Sequence, residues 1–209
     1  YVNRYKDKDF LILANGPTLK EYKPKIDRFI TKYNPVIIGA NYLGGLFKPH
    51  YHAFNNKRRF VEYVDTVLPD SELLIGQYIP DELVHDYIAR AFENIVYIDE
   101  YSDFGIDDDG VITSNCRTIA VLLLGVAIVM GAKRVFAAGM DGYIGICDLH
   151  FYNEKDEKED RDMIIERHRL CQKYIEQIDG FLNKRNIEGV NILTPTSYKS
   201  FYKGIDNYL

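Results

Sequence analysis

Cysteine is scarce in this 209-residue chain and follows no pattern: there are three, Cys116, Cys147 and Cys171. An odd number at no zinc-type spacing excludes a disulfide framework and a zinc ribbon, and it fits a reducing compartment. Long apolar runs are also missing. The longest, residues 119–132, falls short of the ~20 residues a membrane span needs, so it reads as a buried core helix. Charge of one sign is not in excess either. Lys plus Arg number 26 and Asp plus Glu 31, a formal net charge of −5. That mild acidity argues against a nucleic-acid partner or a polybasic membrane patch, both of which need dense Lys and Arg on one face. No secretory leader pattern stands at the front. A cytoplasmic location is therefore expected, with peripheral attachment at an inner membrane compatible with it. No internal repeat and no low-complexity linker interrupts the chain.

What is present is ordinary globular composition, 46% apolar and 27% charged, in a length that suits one domain. The first residue is Tyr1 rather than Met, which we read as a domain cut from a longer chain. Short, nearly all-apolar runs at 10–14, 36–40, 52–54, 72–76, 95–98, 134–138 and 190–193 predict strands buried on both faces. Helical stretches alternate with them at 23–33, 57–66, 81–93, 115–131 and 158–184. This alternation predicts an α/β domain spanning 1–209, with a Rossmann-like, doubly wound, mainly parallel sheet of six to seven strands and helices on both faces. Ligands of such sheets sit beyond the carboxyl ends of the strands, so the loops after each strand are where chemistry is sought.

Those loops carry short polar side chains. Asn15-Gly16-Pro17-Thr18 follows the first strand; it is neither a dinucleotide fingerprint nor a P-loop. Gly16 permits close backbone approach to a ligand. Asn41 follows the second strand, and Asn55-Asn56-Lys57-Arg58-Arg59 the third. An asparagine donates and accepts at once, which suits a sugar hydroxyl or base edge, although it can equally satisfy loop backbone. Thr113 or Ser114 is a natural N-cap for the apolar helix. A buried helix N-terminus with small hydroxyl residues is also a ready phosphate site. Asp141, at the end of the sixth run, either binds a hydroxyl or caps its turn. Tyr143, His150 and Tyr152 follow, suited to bonding a phosphate or taking up a proton. Residues 148–162 carry seven acids and three bases. They read either as a charged helix start or, together with 142–147, as a lid excursion over a ligand. His168, inside the last helical stretch, is the weaker histidine candidate.

Taken in order, these motifs resemble a family. An apolar strand ending in Asn-Gly-Pro-Thr-Leu is followed by two strands ending in Asn. Ile112-Thr113-Ser114 then opens a long apolar helix, and a strand ends in Gly-Met-Asp-Gly-Tyr. The order is similar to that of bacterial CMP-sialic-acid-dependent sialyltransferases. It is also similar to a wider set from surface-polysaccharide and flagellin-glycosylation clusters, which the archaeal 6-hydroxymethylpterin diphosphokinases resemble in turn. The resemblance covers most of the chain and extends to Thr194-Pro195-Thr196-Ser197. It implies transfer from a nucleotide-activated sugar to a glycan acceptor with no required cofactor. Asn15, Gly16 and Thr18 would line the nucleotide phosphate and ribose, and Asn41 and Asn55 would hold the donor. Thr113 and Ser114 would sit by the phosphate, and Tyr143 would donate to it. Tyr152 and His150 would complete the site, His150 as general base, although the segment carrying them is shorter and more acidic than the family's. A fused or neighbouring aldolase-like or sugar-activating domain, and a homo-oligomer, are compatible with the resemblance. Two alternatives stay open: a diphosphokinase-like enzyme using ATP and Mg²⁺ held by Asp141 and Asp148, and a non-catalytic module that binds a nucleotide sugar.

Overall fold

The computed structural model describes residues 1–99, 103–116, 118–145, 148–153 and 160–209. Seven strands pair into one sheet: β1 (Lys8–Leu13), β2 (Val36–Ala40), β3 (Tyr51–Phe54), β4 (Glu72–Gly76) and β5 (Phe92–Ile95), with β9 (Ala132–Ala138) and β10 (Val190–Ile192). Between them in sequence come three two-residue strands, β6 (Tyr97–Ile98), β7 (Gly105–Ile106) and β8 (Ile112–Thr113), which pair with each other. In the main sheet the spatial order is β10-β9-β1-β2-β3-β4-β5. Every pairing in it is parallel. The α/β, doubly wound expectation therefore holds. From β1 the chain runs outward through β2 to β5, then returns to the other side of β1 as β9. The order thus reverses between β1 and β9, and the crevice at such a point is where open α/β sheets hold ligands.

The helices are α1 (Thr18–Glu21), α2 (Lys23–Tyr33), α3 (Lys57–Tyr63), α4 (Asp81–Tyr87), α5 (Ile119–Val129) and α6 (Arg161–Asn183). Helix α2 buries only Ile26 and Phe29 and ends at Asn34 in the left-handed conformation, a conformation that asparagine tolerates. Helix α5 is apolar all round and buried along almost its whole length. It needs cover on two sides, and it shares one core cluster with the sheet and with Cys171, Tyr174, Ile175, Ile178 and Leu182 of α6. Those α6 residues recur at three- and four-residue steps, the stripe of an amphipathic helix. The opposite face of the sheet packs Leu11, Leu13, Phe136 and Leu193 against Ile26 and Phe29.

Three expected boundaries move. The helix expected at 81–93 stops at Tyr87, because Phe92–Ile95 pairs with β4 in register Leu73↔Phe92 to Gly76↔Ile95. The single strand expected at 95–98 is therefore the end of β5 plus the separate β6. The apolar helix begins at Ile119 rather than 115, with Thr118 as N-cap. The preceding backbone donors are spent elsewhere. Ser114 N–H bonds the Ile98 carbonyl at 2.9 Å, and Asn115 N–H bonds the Tyr174 hydroxyl at 2.8 Å. Cys116 N–H bonds the Ser114 hydroxyl at 3.1 Å. Thr113 and Ser114 are accordingly not the N-cap: Thr113 lies in β8, and Ser114 is buried.

The last helix starts at Arg161, where Asp160 is N-cap and accepts from Asp162 N–H at 3.2 Å. Part of the expected lid, residues 146, 147 and 154–159, lies outside the described residues, and Asp156, Glu157 and Glu159 lie there too. The described 148–153 stretch packs on the strand-end loops. Phe151 N–H bonds the Asn15 carbonyl at 2.9 Å, and its ring stacks on Tyr42. Tyr152 packs edge-on against Tyr42 and Tyr63.

Candidate active site

A cavity of about 740 Å³ opens at the carboxyl ends of β1, β2, β3 and β9. Two walls face each other across it. The first is built from the strand-end asparagines. Asn15 is buried and donates its amide to the carbonyls of Ala40 (2.9 Å) and Tyr42 (2.7 Å), so it ties the β1 and β2 loops together. Its oxygen accepts from the Asn41 amide at 3.4 Å. Asn41 sits in the left-handed region, φ 49°. Its backbone N–H bonds the Ala53 carbonyl, and its carbonyl meets Nε2 of the buried His52. Burial drives the His52 pKa down to about 4, so at neutral pH the ring is uncharged and Nε2–H donates. Asn41 is thus fixed by its backbone, while its side-chain oxygen is buried with no hydrogen-bond partner among the described residues. A buried acceptor without a donor is costly, and on a cavity wall a ligand N–H or O–H would satisfy it. Asn55 is held between Gly76 and the Tyr97 hydroxyl, which donates to its oxygen at 3.0 Å. Arg58 and Arg59 extend this wall from the first turn of α3, whose N-cap Asn56 accepts from Arg59 N–H at 3.1 Å.

The second wall comes from the start of α5, the turn after β9, and α6. Asn115, Thr118, Ile119, Ala120 and Val121 line it. Thr118 to Val121 are the N-cap and first turn of an eleven-residue helix, where backbone N–H groups and the macrodipole favour an anion. Tyr143 lies beside it. Its ring faces the Arg167 guanidinium at 5.5 Å, and its hydroxyl reaches the Thr118 side chain. Burial holds this phenol well above the ordinary tyrosine range, so it stays protonated and able to donate. Its backbone N–H donates to His168 Nδ1 at 3.3 Å, and the His168 ring stacks on Tyr198 at 4.6 Å. Burial pushes the His168 pKa down as well. His150 also lines the cavity, with its ring stacked on Tyr152 at 5.2 Å.

The two walls are joined at the sheet edge by Asp141. Its carboxylate accepts the Thr18 backbone N–H at 2.9 Å and the Thr18 hydroxyl, which also contacts the Thr194 hydroxyl at 2.9 Å. Burial raises the Asp141 pKa, opposed by those Thr18 bonds. Gly16 makes the contact possible: a Cβ there would lie 2.4 Å from the Asp141 carboxyl carbon. Both oxygens of Asp141 are therefore engaged in holding the β1 turn to the β9 turn. Among the described residues, no group of three or more His, Cys, Asp or Glu side chains is gathered to hold a metal ion.

Of the residues singled out from sequence, the cavity thus gathers Asn15, Gly16, Asn41, Asn55, Asp141, Tyr143 and His150. Four are not on its wall. Thr18 is spent on Asp141 and Thr194, and Tyr152 belongs to the aromatic cluster of Tyr42 and Tyr63. Thr113 and Ser114 are absorbed by the small sheet and its following turn. The cavity also recruits Thr118, Arg167, Cys171 and Tyr198, none of them expected. Thr118 was findable, since a hydroxyl residue directly before the first residue of an apolar run is an N-cap signal.

No protein-family profile matches the chain. No curated protein matches it by sequence. A solved structure does match by shape: the sialyltransferase CstII from Campylobacter jejuni, in complex with the substrate analogue cytidine-5'-monophosphate. It covers 97% of this chain and 87% of that one, at 16% identity and a TM-score of 0.55. The chain shares its fold with a sialyltransferase. At that identity the likeness speaks for the fold alone. A second match, a CST-II variant with CMP, covers 96% and 88% at 15% identity; its TM-score of 0.42 is too low to weigh. Among the described residues, no helix is long and apolar enough to cross a membrane.

Proposed function

We propose that this chain is a glycosyltransferase domain that uses a nucleotide sugar, a CMP-linked nonulosonic acid or a related donor, in bacterial surface-glycan assembly. The observation that carries the reading is the unsatisfied Asn41 oxygen on the wall of a cavity whose opposite wall is the N-terminal end of α5. One wall offers acceptors and amides suited to a ribose and a base; the other offers an anion site suited to its phosphate. The shared fold with an enzyme solved with CMP adds to it.

In this reading the reaction is displacement at the anomeric carbon of the donor, with the nucleotide leaving. The transition state resembles an oxocarbenium ion, and negative charge grows on the departing phosphate. The backbone N–H groups of the first α5 turn and the protonated Tyr143 hydroxyl meet that charge. His150, on the cavity wall, takes the proton of the acceptor hydroxyl as general base. His168 serves indirectly, by holding the Tyr143 backbone through Nδ1. The aromatic cluster of Tyr42, Phe151 and Tyr152 beside His150 limits water that would compete with the acceptor.

A thermal-shift panel of CMP, CDP, UDP, ADP, NAD, and ATP with and without Mg²⁺ tests the reading. A ligand at 100 times its Kd stabilises the fold by about 2.7 kcal/mol. A metal-independent shift with CMP or CDP is the expected result. A shift confined to ATP with Mg²⁺ would replace this reading with a phosphoryl-transfer one. Silence across the panel would contradict nucleotide binding and favour a glycan-binding module.

A further inference from the structure

Behind the Tyr143 wall two thiols meet. Cys116 and Cys171 are both buried, at 0% and 1% exposure, and neither is in a disulfide. Cys116 comes from the turn before α5, Cys171 from the middle of α6, and the two side chains hydrogen-bond to each other. Thr118 joins them. Cys171 Sγ donates to Thr118 Oγ1 at 3.3 Å, and Cys116 bonds both the backbone and the side chain of Thr118. Tyr198 also hydrogen-bonds Cys171. Cys171 and Thr118 both line the cavity, so this network is a wall of the candidate site rather than sealed core. Nothing in the proposed transfer reaction uses a thiol.

We propose that Cys116 and Cys171 form a reversible, peroxide-sensitive thiol pair that controls ligand binding at the α5 end of the cavity. Cys171 is the attacking sulfur, because it alone of the two lines the cavity. Its thiolate attacks hydrogen peroxide, giving a sulfenic acid and a hydroxide that takes up the proton released by the thiol and leaves as one water. The Cys116 thiol then displaces the second oxygen as water, and the S–S bond forms. The balance is two thiols and one peroxide giving one disulfide and two waters. The Cys116 hydrogen bond, with help from Thr118, Tyr198 and Arg167, holds the Cys171 thiol below its ordinary pKa against the effect of burial. That favours the thiolate which the first step needs. In the disulfide neither sulfur carries a proton, so Thr118 Oγ1 loses its Cys171 donor. Tyr198 loses its thiol partner, and α6 is bound covalently to the entry of α5. The phosphate-binding end of the cavity changes as a result. The effect on a nucleotide rests on the function proposed above; the pair itself does not.

The test treats the intact chain with hydrogen peroxide at a slight molar excess, then splits the sample. Intact mass and peptide mapping should show the loss of two hydrogens and a Cys116–Cys171 cross-link, with one of the three thiols still free and full reversal by dithiothreitol. CMP affinity should fall about tenfold on oxidation, the worth of one capping-type hydrogen bond. In Cys116→Ala the same treatment should give no internal cross-link by peptide mapping, and a cross-link between Cys171 and another thiol there would overturn the pairing. A cross-link through Cys147, or three free thiols after treatment, would overturn the proposal even if CMP binds. A cross-link that leaves CMP affinity unchanged would overturn its control of binding. If the reduced chain does not bind CMP at all, the nucleotide reading fails, and the control of its binding with it, while the mass data still decide the pair.

Discussion

The two walls of the cavity are built on different principles. The asparagine wall is local: each residue directly follows an apolar strand, and backbone bonds between adjacent strands fix it. Asn15 bridges two loops, Asn41 is pinned through His52 and Ala53, and Asn55 is wedged against Gly76. The opposite wall is non-local. Thr118, Tyr143, Arg167, Cys171 and Tyr198 come from four separated parts of the chain, and they meet only because α6 packs over α5. The asparagines of the first wall are neutral and fixed by backbone hydrogen bonds, with Arg58 and Arg59 at its edge. The second holds the helix terminus, the thiols and most of the groups that can change state. Under the proposed function, the ligand's neutral part would meet the backbone-anchored amides and its anionic part the α5 side.

The largest effect is expected where the walls join. Asp141→Ala removes both acceptors of Thr18, leaving a buried N–H and hydroxyl without their charged partner. It should cost about 3 kcal/mol in urea unfolding, with both walls loosened. A loss under about 1 kcal/mol would mean the walls stand independently.

Acid should break the asparagine wall. His52 has a folded pKa depressed to about 4 from an ordinary 6.5. The unfolded chain therefore binds the extra proton first. The stabilisation is present above about pH 6.5 and is lost as pH falls toward 4, on the order of 3 kcal/mol. Urea midpoints at pH 7 and 4.5 should differ by correspondingly more in the wild type than in His52→Gln. Equal pH dependence in the two would show that His52 is not the responsible group.

Tyr143→Phe sharpens the comparison from the other side. Turnover of a CMP-linked donor should fall about a hundredfold, the worth of one donor to a developing charge, while stability changes by about 1 kcal/mol or less. Normal turnover would remove Tyr143 from the leaving-group role. The smallest effect belongs to Asn41→Gly, which keeps the left-handed backbone while deleting the unsatisfied oxygen and the long 3.4 Å bond to Asn15. Nucleotide affinity should weaken about tenfold at nearly unchanged stability. A calorimetric Kd equal to the wild type would show that the Asn41 oxygen does not meet the ligand.

This contrast also explains what sequence could disclose. Asn15, Asn41 and Asn55 were legible because a polar residue ending a buried parallel strand must lie at the carboxyl edge of the sheet. The sheet itself was legible for the same reason: its strands are short, apolar and separated by helical stretches. Asp141 was visible as a candidate, but its engagement with Thr18 depends on Gly16 letting the β1 turn approach the β9 turn, a contact between residues over a hundred apart. Thr113 and Ser114 misled because the donors of residues 114–116 find partners in the small sheet and α6, which delays the helix to Ile119. Likewise, Phe92–Ile95 is held as a strand by pairing with β4, against a pattern that read as helix. Arg167 and Cys171 could not be read at all without knowing which face of α6 covers α5.

The measurement that bears most directly on the account is a crystal structure of the chain with CMP. The account predicts the phosphate oxygens within hydrogen-bond distance of the first α5 backbone N–H groups and the Tyr143 hydroxyl, with the ribose or base against Asn41. A phosphate bound instead at Arg58 and Arg59, with Asn41 still unmet, would contradict the division of labour between the two walls.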